Sequence, residues 1–387
     1  MTVAKSNSLV ARLSAPPIPS VIAWGREYKG GKGPLIDLSQ AVPGYPAHPE
    51  MLRLLGEAAG QQVMTGYGPI EGEPLLRAAY AAHLAELYGA ELSAGNIHIT
   101  AGCNQAFMCT AIALAGADDT VALTNPFYFN HDTTLSMLGI GRQLVHCDPA
   151  AGFLPDLRSA EVALAAGAKM LAVVTPNNPT GAVYPPSLLH ELFVLCRKHG
   201  AWLVLDETYR DFLAEGYGRP HFLLSEPGWE DTLVLLYSFS KSFCIPGHRL
   251  GAITAGPRLI AEIAKVMDNM QICAPRSAQI AVASALPVLA DWRAGNRLEI
   301  ARRADALRLA VSGLAGWEIA AIGAYFAFVR HPFADRSSSE VAERLAREAG
   351  VVCIPGAYFG EGQERYLRLA FANADVGSIE LLSQRLG

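Results

Sequence analysis

The chain has 387 residues, a formal net charge of −5 and 51% hydrophobic residues, which together predict two folded domains and exclude extensive disorder. Because no basic stripe or polybasic tail occurs, we expect neither a nucleic-acid nor a membrane partner. The seven cysteines form no Cys-x-x-Cys pair, and such usage is typical of a reducing compartment, so the predicted location is cytoplasmic.

The N-terminal part is predicted to be an arm. Residues 14–34 are rich in proline and glycine and favour an irregular conformation. We assign residues 1–45 to this arm and expect it to pack with the smaller of the two domains.

From about residue 70, helical and strand patterns alternate. Helices are predicted at Glu73–Leu87 and Pro186–His199 from their apolar periodicity. Short β-prone runs are predicted as strands at Asn96–Thr100, Thr120–Thr124, Lys169–Thr175, Trp202–Asp206, Thr232–Ser238 and Gly251–Thr254. This alternation predicts an α/β fold with a mostly parallel sheet between helices, in a large domain at residues 46–290.

The pattern changes after Pro275. A long helical stretch runs from about Ser277 to Leu314, and a further helix is predicted at Ser338–Ala349. Two strands are predicted at Tyr325–Val329 and Tyr366–Phe371. These elements predict a smaller α/β domain at residues 291–387.

Four short segments follow the ends of predicted strands, where the ligand crevice of an open α/β sheet lies. Lys241 ends Ser238-Phe239-Ser240-Lys241; in partly apolar surroundings its pKa would fall and its amine would become a nucleophile. Asp206 ends an apolar strand, and Tyr209 follows one helical turn later. A buried carboxylate needs a cationic partner, which a protonated pyridine nitrogen would supply.

The other two segments are loops. Asn178, in Thr175–Gly181, could donate its amide to a phenolate oxygen. Gly102-Cys103-Asn104 precedes a predicted helix whose free backbone N–H groups favour an anion such as a phosphate, and Arg249 could add a guanidinium there. Each segment alone fits an ordinary turn, cap or surface ion pair. Together they match what pyridoxal 5'-phosphate (PLP) requires.

The motifs also resemble, in order, those of the class I/II aminotransferases, which are PLP-dependent enzymes of fold type I. The resemblance covers the chain from about residue 38 to its end. The segments that carry it are Tyr67-Gly68-Pro69, Thr100-Ala101-Gly102, Asn125-Pro126-Phe127-Tyr128, Asn177–Gly181, Asp206-Glu207-Thr208-Tyr209, Ser238–Lys241, Gly247–Gly251, Pro355-Gly356 with Phe359-Gly360, and Arg368–Phe371.

The resemblance implies a role for each matching position in cofactor chemistry. Lys241 would form the Schiff base with PLP and carry the proton during transfer. Asp206 would pair with the pyridinium, and Tyr209 and Asn178 would hydrogen-bond the phenolate oxygen. Tyr128 would stack on the ring.

Further positions would bind phosphate or substrate. The phosphate would be held by the Gly102 turn, the backbone of Cys103 and Asn104, Ser238 and Arg249. Arg368 would bind the substrate α-carboxylate, and Asn178 would also contribute to the substrate site. Tyr67 would reach the phosphate of a neighbouring subunit, which implies a homodimer.

One position departs from the family pattern at the substrate site. Ala41 follows Ser39-Gln40 where the family often has glycine, so the local contact of Ala41 with the substrate carboxylate is open. No metal site is predicted, since the histidines show no ligand spacing.

The function predicted is transfer of an amino group from an α-amino acid to a 2-oxo acid. A lyase that cleaves a β-carbon–sulfur bond would use nearly the same residues and remains an alternative. A PLP-binding sensor domain is disfavoured, because the motifs leave no room for a preceding DNA-binding domain.

Overall fold

A computed structural model describes residues 4–386 of the chain. Its strands, numbered in chain order, are β1 (Ile36–Asp37), β2 (Ile97–Thr100), β3 (Thr120–Asn125), β4 (Gly141–Asp148), β5 (Leu154–Pro155), β6 (Met170–Val174), β7 (Trp202–Asp206), β8 (Leu233–Ser238), β9 (Gly251–Thr254), β10 (Glu318–Gly323), β11 (Phe326–Arg330), β12 (Val351–Val352), β13 (Ile354–Pro355) and β14 (Tyr366–Leu369).

The α-helices follow the same numbering. They are α1 (Ser8–Ala11), α2 (Pro17–Arg26), α3 (Pro49–Ala59), α4 (Pro74–Tyr88), α5 (Cys103–Leu114), α6 (Phe129–Leu138), α7 (Leu157–Ala165), α8 (Pro186–His199), α9 (Phe239–Ser242), α10 (Pro257–Met270), α11 (Arg276–Val288), α12 (Ala290–Ser312), α13 (Ser338–Arg344), α14 (Val376–Glu380) and α15 (Leu382–Arg385).

The larger sheet has the order β2-β9-β8-β7-β6-β3-β4-β5. Its inner strands pair in parallel from β4 through β3, β6 and β7 to β8, whereas β9 is antiparallel to both of its neighbours. Every residue of β6 and β8 is buried, because helices cover both faces and select continuous apolar runs. The predicted mostly parallel α/β sheet is confirmed.

The smaller sheet lies in the C-terminal part. Its order is β10-β11-β14-β13, and all of its pairs are antiparallel. A second apolar cluster packs around it, including Phe326, Leu367 and Leu307 of α12. The smaller α/β unit of the predicted fold class is therefore confirmed.

The prediction of an irregular arm at residues 14–34 is wrong, because the ten-residue helix α2 lies within it. Pro17 occupies the first turn, where a missing N–H costs nothing. Val21 is fully buried, and a Cβ on Gly25 would lie 2.7 Å from Val352 Cγ2. Close packing against β12 thus stabilises a helix that the proline-rich composition conceals.

Among residues 4–386, no helix combines the length and the apolar character needed to cross a bilayer.

Candidate functional site

A central cavity of about 480 Å³ opens at the carboxyl ends of β6, β7 and β8. Most of the residues predicted for the site line it, namely Ala41, Cys103, Asn104, Tyr128, Asn178, Asp206, Tyr209, Ser238, Lys241, Arg249 and Arg368. Gly102 does not itself line the cavity, but it directly precedes Cys103, which does. Tyr67 does not line this cavity; its side chain is 80% exposed elsewhere on the surface.

Lys241 lies on the single turn α9, which Ser238 caps by accepting the Ser240 N–H at 3.3 Å. Its Nζ donates to the carbonyl oxygen of Ala41. Burial, reinforced by the positive charges of Arg249 and Arg368, lowers the pKa of Lys241 to about 8. A neutral amine is therefore far more abundant near neutral pH than for an ordinary lysine.

Asp206 ends β7 and is 4% exposed. Burial alone would raise the pKa of this carboxyl, but hydrogen bonds from His131 and Thr208 hold it below its ordinary value. The Thr208 N–H lies 3.0 Å from Oδ1, and His131 Nε2 lies 3.4 Å from Oδ2. Asp206 therefore presents a negative charge at the cavity floor.

His131 was missed by the sequence analysis. It follows Tyr128 by three residues at the start of α6, and its ring stacks on Phe107 with 3.8 Å between centroids. The only signal in the sequence is that i, i+3 spacing after a strand end, which many structural histidines share.

The start of α5 and the Arg249 guanidinium form one concave surface. Gly102 has φ +89°, and a Cβ there would lie 2.4 Å from Arg249 Nη2. Arg249 bonds only to backbone carbonyl oxygens, Pro246 at 3.0 Å and Ala101 at 3.5 Å, and no carboxylate of residues 4–386 pairs with it. An unpaired guanidinium beside free helix N–H groups suits a phosphate.

Ser240 is a second residue that the sequence analysis missed. Its hydroxyl is buried and has no hydrogen-bond partner among the described residues, and Ser240 lines the central cavity beside Ser238. A buried hydroxyl without a partner costs free energy unless a ligand satisfies it.

Arg368 lies in the middle of β14 and is 2% exposed. Nη1 donates to Asn178 Oδ1 at 3.0 Å and Nη2 donates to the Ser39 carbonyl, while Nε has no partner within the described chain. Burial lowers the pKa of Arg368 to about 10. No carboxylate of residues 4–386 neutralises this guanidinium, so an incoming carboxylate would relieve an uncompensated buried charge.

The two tyrosines flank the space between these groups. Asn130 Nδ2 donates to the Tyr128 hydroxyl at 2.8 Å. Tyr209 packs against Tyr325 and Phe326, and burial raises its pKa well above the ordinary value. The Tyr209 hydroxyl therefore stays protonated and available as a donor.

Comparisons with known proteins agree over nearly the whole chain. Residues 33–386 match the family described as aminotransferase class I and II. The aromatic aminotransferase ISS1 of Arabidopsis thaliana is 30% identical over 358 residues, covering 91% of this chain and 88% of that protein. The aspartate/prephenate aminotransferase of Thermus thermophilus is 30% identical over 346 residues, covering 88% and 87%.

A solved structure shows the same fold. A double mutant of the Thermus thermophilus aspartate aminotransferase superposes with a TM-score of 0.90 at 26% identity, covering 99% of each chain.

Proposed function

This chain belongs to the class I and II aminotransferases, which are PLP-dependent, and we propose that its central cavity binds PLP and moves an amino group from an α-amino acid to a 2-oxo acid. The observation that carries the proposal is one cavity that holds a lysine of low pKa, an ionised aspartate and an arginine without a counter-charge. These three groups match the aldehyde, the ring nitrogen and the substrate carboxylate of the reaction.

The residues fit the cofactor at its phosphate end. The N–H groups of Cys103 and Asn104, the hydroxyls of Ser238 and Ser240 and the guanidinium of Arg249 would bind the phosphate. The absence of a Cβ on Gly102 leaves room for Arg249 to approach the start of α5, and the Ser240 hydroxyl lacks any other partner in the described chain.

Tyr128 would stack on the cofactor ring. Asp206 would pair with the ring nitrogen, and Tyr209 and Asn178 would donate to the phenolate oxygen. When bound, PLP supplies an electron sink that stabilises negative charge at the substrate Cα.

The protein's own groups then orient the substrate and move a proton. Arg368 would fix the α-carboxylate through two parallel hydrogen bonds, so that the Cα–H bond faces Lys241. The pKa of the free Lys241 amine lies near 8, which suits a group that must both accept and return a proton near neutral pH. Asp206 keeps its negative charge throughout, because His131 and Thr208 hold its pKa low.

An acceptor-dependence assay tests this function. Purified enzyme with PLP should convert an amino acid to its 2-oxo acid only when a second 2-oxo acid is supplied. Release of pyruvate and ammonia from a β-thio amino acid without an acceptor would instead identify a lyase.

We further propose a homodimer in a reducing, cytoplasmic compartment. Tyr67 is 80% exposed, and Val63, four residues earlier in the chain, is 61% exposed, so apolar surface accompanies the tyrosine that would reach a partner's phosphate site. The seven cysteines are all free thiols. Sedimentation velocity should give a particle of twice the chain mass. Tyr67→Phe should weaken PLP binding without dissociating the dimer.

A further inference from the structure

Two cavities meet beneath helix α2. The first is the central cavity, and the second, of about 1220 Å³, lies below residues 10–20 and against the start of α6. Ile18, Pro19, Phe129 and Asn130 line both. We call these four residues the junction. The two cavities therefore adjoin at the junction.

The junction carries no ionisable group. The cations that line the central cavity are Lys241, Arg249 and Arg368, and the proposed function assigns each of them to the cofactor or to the α-carboxylate. Of the two arginines that line the second cavity, Arg142 is paired with Asp132, whereas Arg12 is exposed and has no ion pair among residues 4–386. A second carboxylate placed at the junction itself would therefore lose water beside side chains that carry no charge.

The apolar walls of the junction are anchored. Ile18 and Phe129 pack against the apolar cluster that contains Val21 of α2 and Phe359. The rings of Phe129 and Phe359 lie 5.4 Å apart between centroids. The one polar member, Asn130, uses its amide to donate to the Tyr128 hydroxyl. The junction thus presents a fixed apolar surface to a side chain leaving the central cavity.

We propose that the substrate side chain lies in the junction, and that the enzyme prefers amino acids with a large uncharged side chain, aromatic or long aliphatic, over aspartate and glutamate. The inference rests on the proposed function, because it takes Arg368 as the site of the α-carboxylate. Ile18 and Phe129 are then specificity-determining residues. The second cavity, beneath residues 10–20, accommodates the end of a large substrate side chain.

Binding of two unreactive carboxylates to the holoenzyme tests the proposal apart from turnover. 3-Phenylpropionate carries one carboxylate and an aromatic ring, whereas succinate carries two carboxylates. Calorimetry should give at least tenfold tighter binding of 3-phenylpropionate, and kcat/KM for phenylalanine or leucine should exceed that for aspartate by a similar factor. Equal or tighter binding of succinate overturns the inference.

Variants locate the subsite. Ile18→Ala should weaken 3-phenylpropionate several-fold and leave succinate unchanged, and Ile18→Lys should shift the ratio of the two affinities toward succinate. Arg26→Ala, at an exposed position of the same helix, is the matched control and should change neither affinity. An unchanged ratio in both Ile18 variants means that the side chain lies elsewhere.

The outcomes also separate this inference from the function beneath it. Efficient transamination with a preference for aspartate refutes only the substrate class. Failure of every amino acid to undergo transamination refutes the proposed function, and the inference falls with it.

Discussion

His131 Nε2 lies 3.4 Å from Asp206 Oδ2, and both side chains are almost completely buried. Helix α6, which carries His131, follows β3, whereas Asp206 ends β7, and β6 separates the two strands in the sheet. Stacking on Phe107 holds the imidazole in place. His131 is thus a positioning residue that keeps the carboxylate charged.

Removing Asp206 should lower turnover more than removing His131. Asp206→Ala should retain the fold but lose about 3 kcal/mol of transition-state stabilisation, or ~10²-fold in kcat. His131→Phe should cost less, roughly tenfold, for one lost hydrogen bond to a charged group.

The pH profile distinguishes positioning from a purely structural role of His131. Because His131 lowers the pKa of Asp206, its loss raises that pKa, and the acid limb of the kcat profile should move to higher pH. An unshifted limb in His131→Phe would show that the histidine only fills space.

Arg368→Lys should separate substrate binding from cofactor binding. Lysine cannot form the two parallel hydrogen bonds of a guanidinium, so amino acids and oxo acids should both lose about 1.5–3 kcal/mol in kcat/KM. PLP content and amines without a carboxylate should be unaffected.

Arg330→Lys, exposed on the neighbouring strand β11, is the control for that change. Loss of PLP from Arg368→Lys, or equal weakening of amines, would make Arg368 a structural residue.

Gly102→Ala should reduce PLP affinity at least tenfold. Its φ of +89° disfavours any side chain, and the new Cβ would displace the Arg249 guanidinium. Gly200→Ala isolates the backbone effect, because Gly200 also has positive φ, +64°, but no atom within 4 Å of the added Cβ. Both variants should lose about 1–3 kcal/mol of stability, measured by urea unfolding, but only Gly102→Ala should need more PLP for saturation.

The apoenzyme should take up PLP with a pH dependence set by Lys241. The amine attacks an aldehyde only when neutral, and its pKa lies at about 8 instead of 10.5. The rate of covalent loading, followed by absorbance, should therefore rise with pH, reach half its maximum near pH 8 and level off above. A rate still rising steeply above pH 9.5 would mean that the lysine is not desolvated.

The central strands were predictable from sequence, whereas the half-exposed ones were not. β7 and β9 have the predicted bounds. β6 is one residue shorter than predicted at each end, and β8 is one residue shorter at its start. These strands are predictable because burial on both faces selects unbroken apolar runs. β4 and β10 were missed, because most of their residues are exposed or partly exposed and no apolar run marks them.

The residues of the candidate site also fall into two groups, those that were predictable from sequence and those that were not. Lys241, Asp206, Asn178 and the Gly102 turn follow strand ends, so local sequence was enough to group them. His131, Ser240 and Ile18 have no local pattern that indicates a ligand. Their relation to the cavity depends on sheet order, on an unpaired hydroxyl and on the packing of α2, which only the folded chain provides.

The central claim is that Lys241 is the residue that binds the cofactor covalently. Borohydride reduction of the holoenzyme, followed by proteolysis and mass spectrometry, tests it most directly, with Lys241→Ala and the exposed Lys265→Ala as paired variants. We predict one modified peptide, containing Lys241, in the wild type and in Lys265→Ala, and no covalent label in Lys241→Ala. A label on any other lysine, or a label that persists in Lys241→Ala, would contradict the assignment.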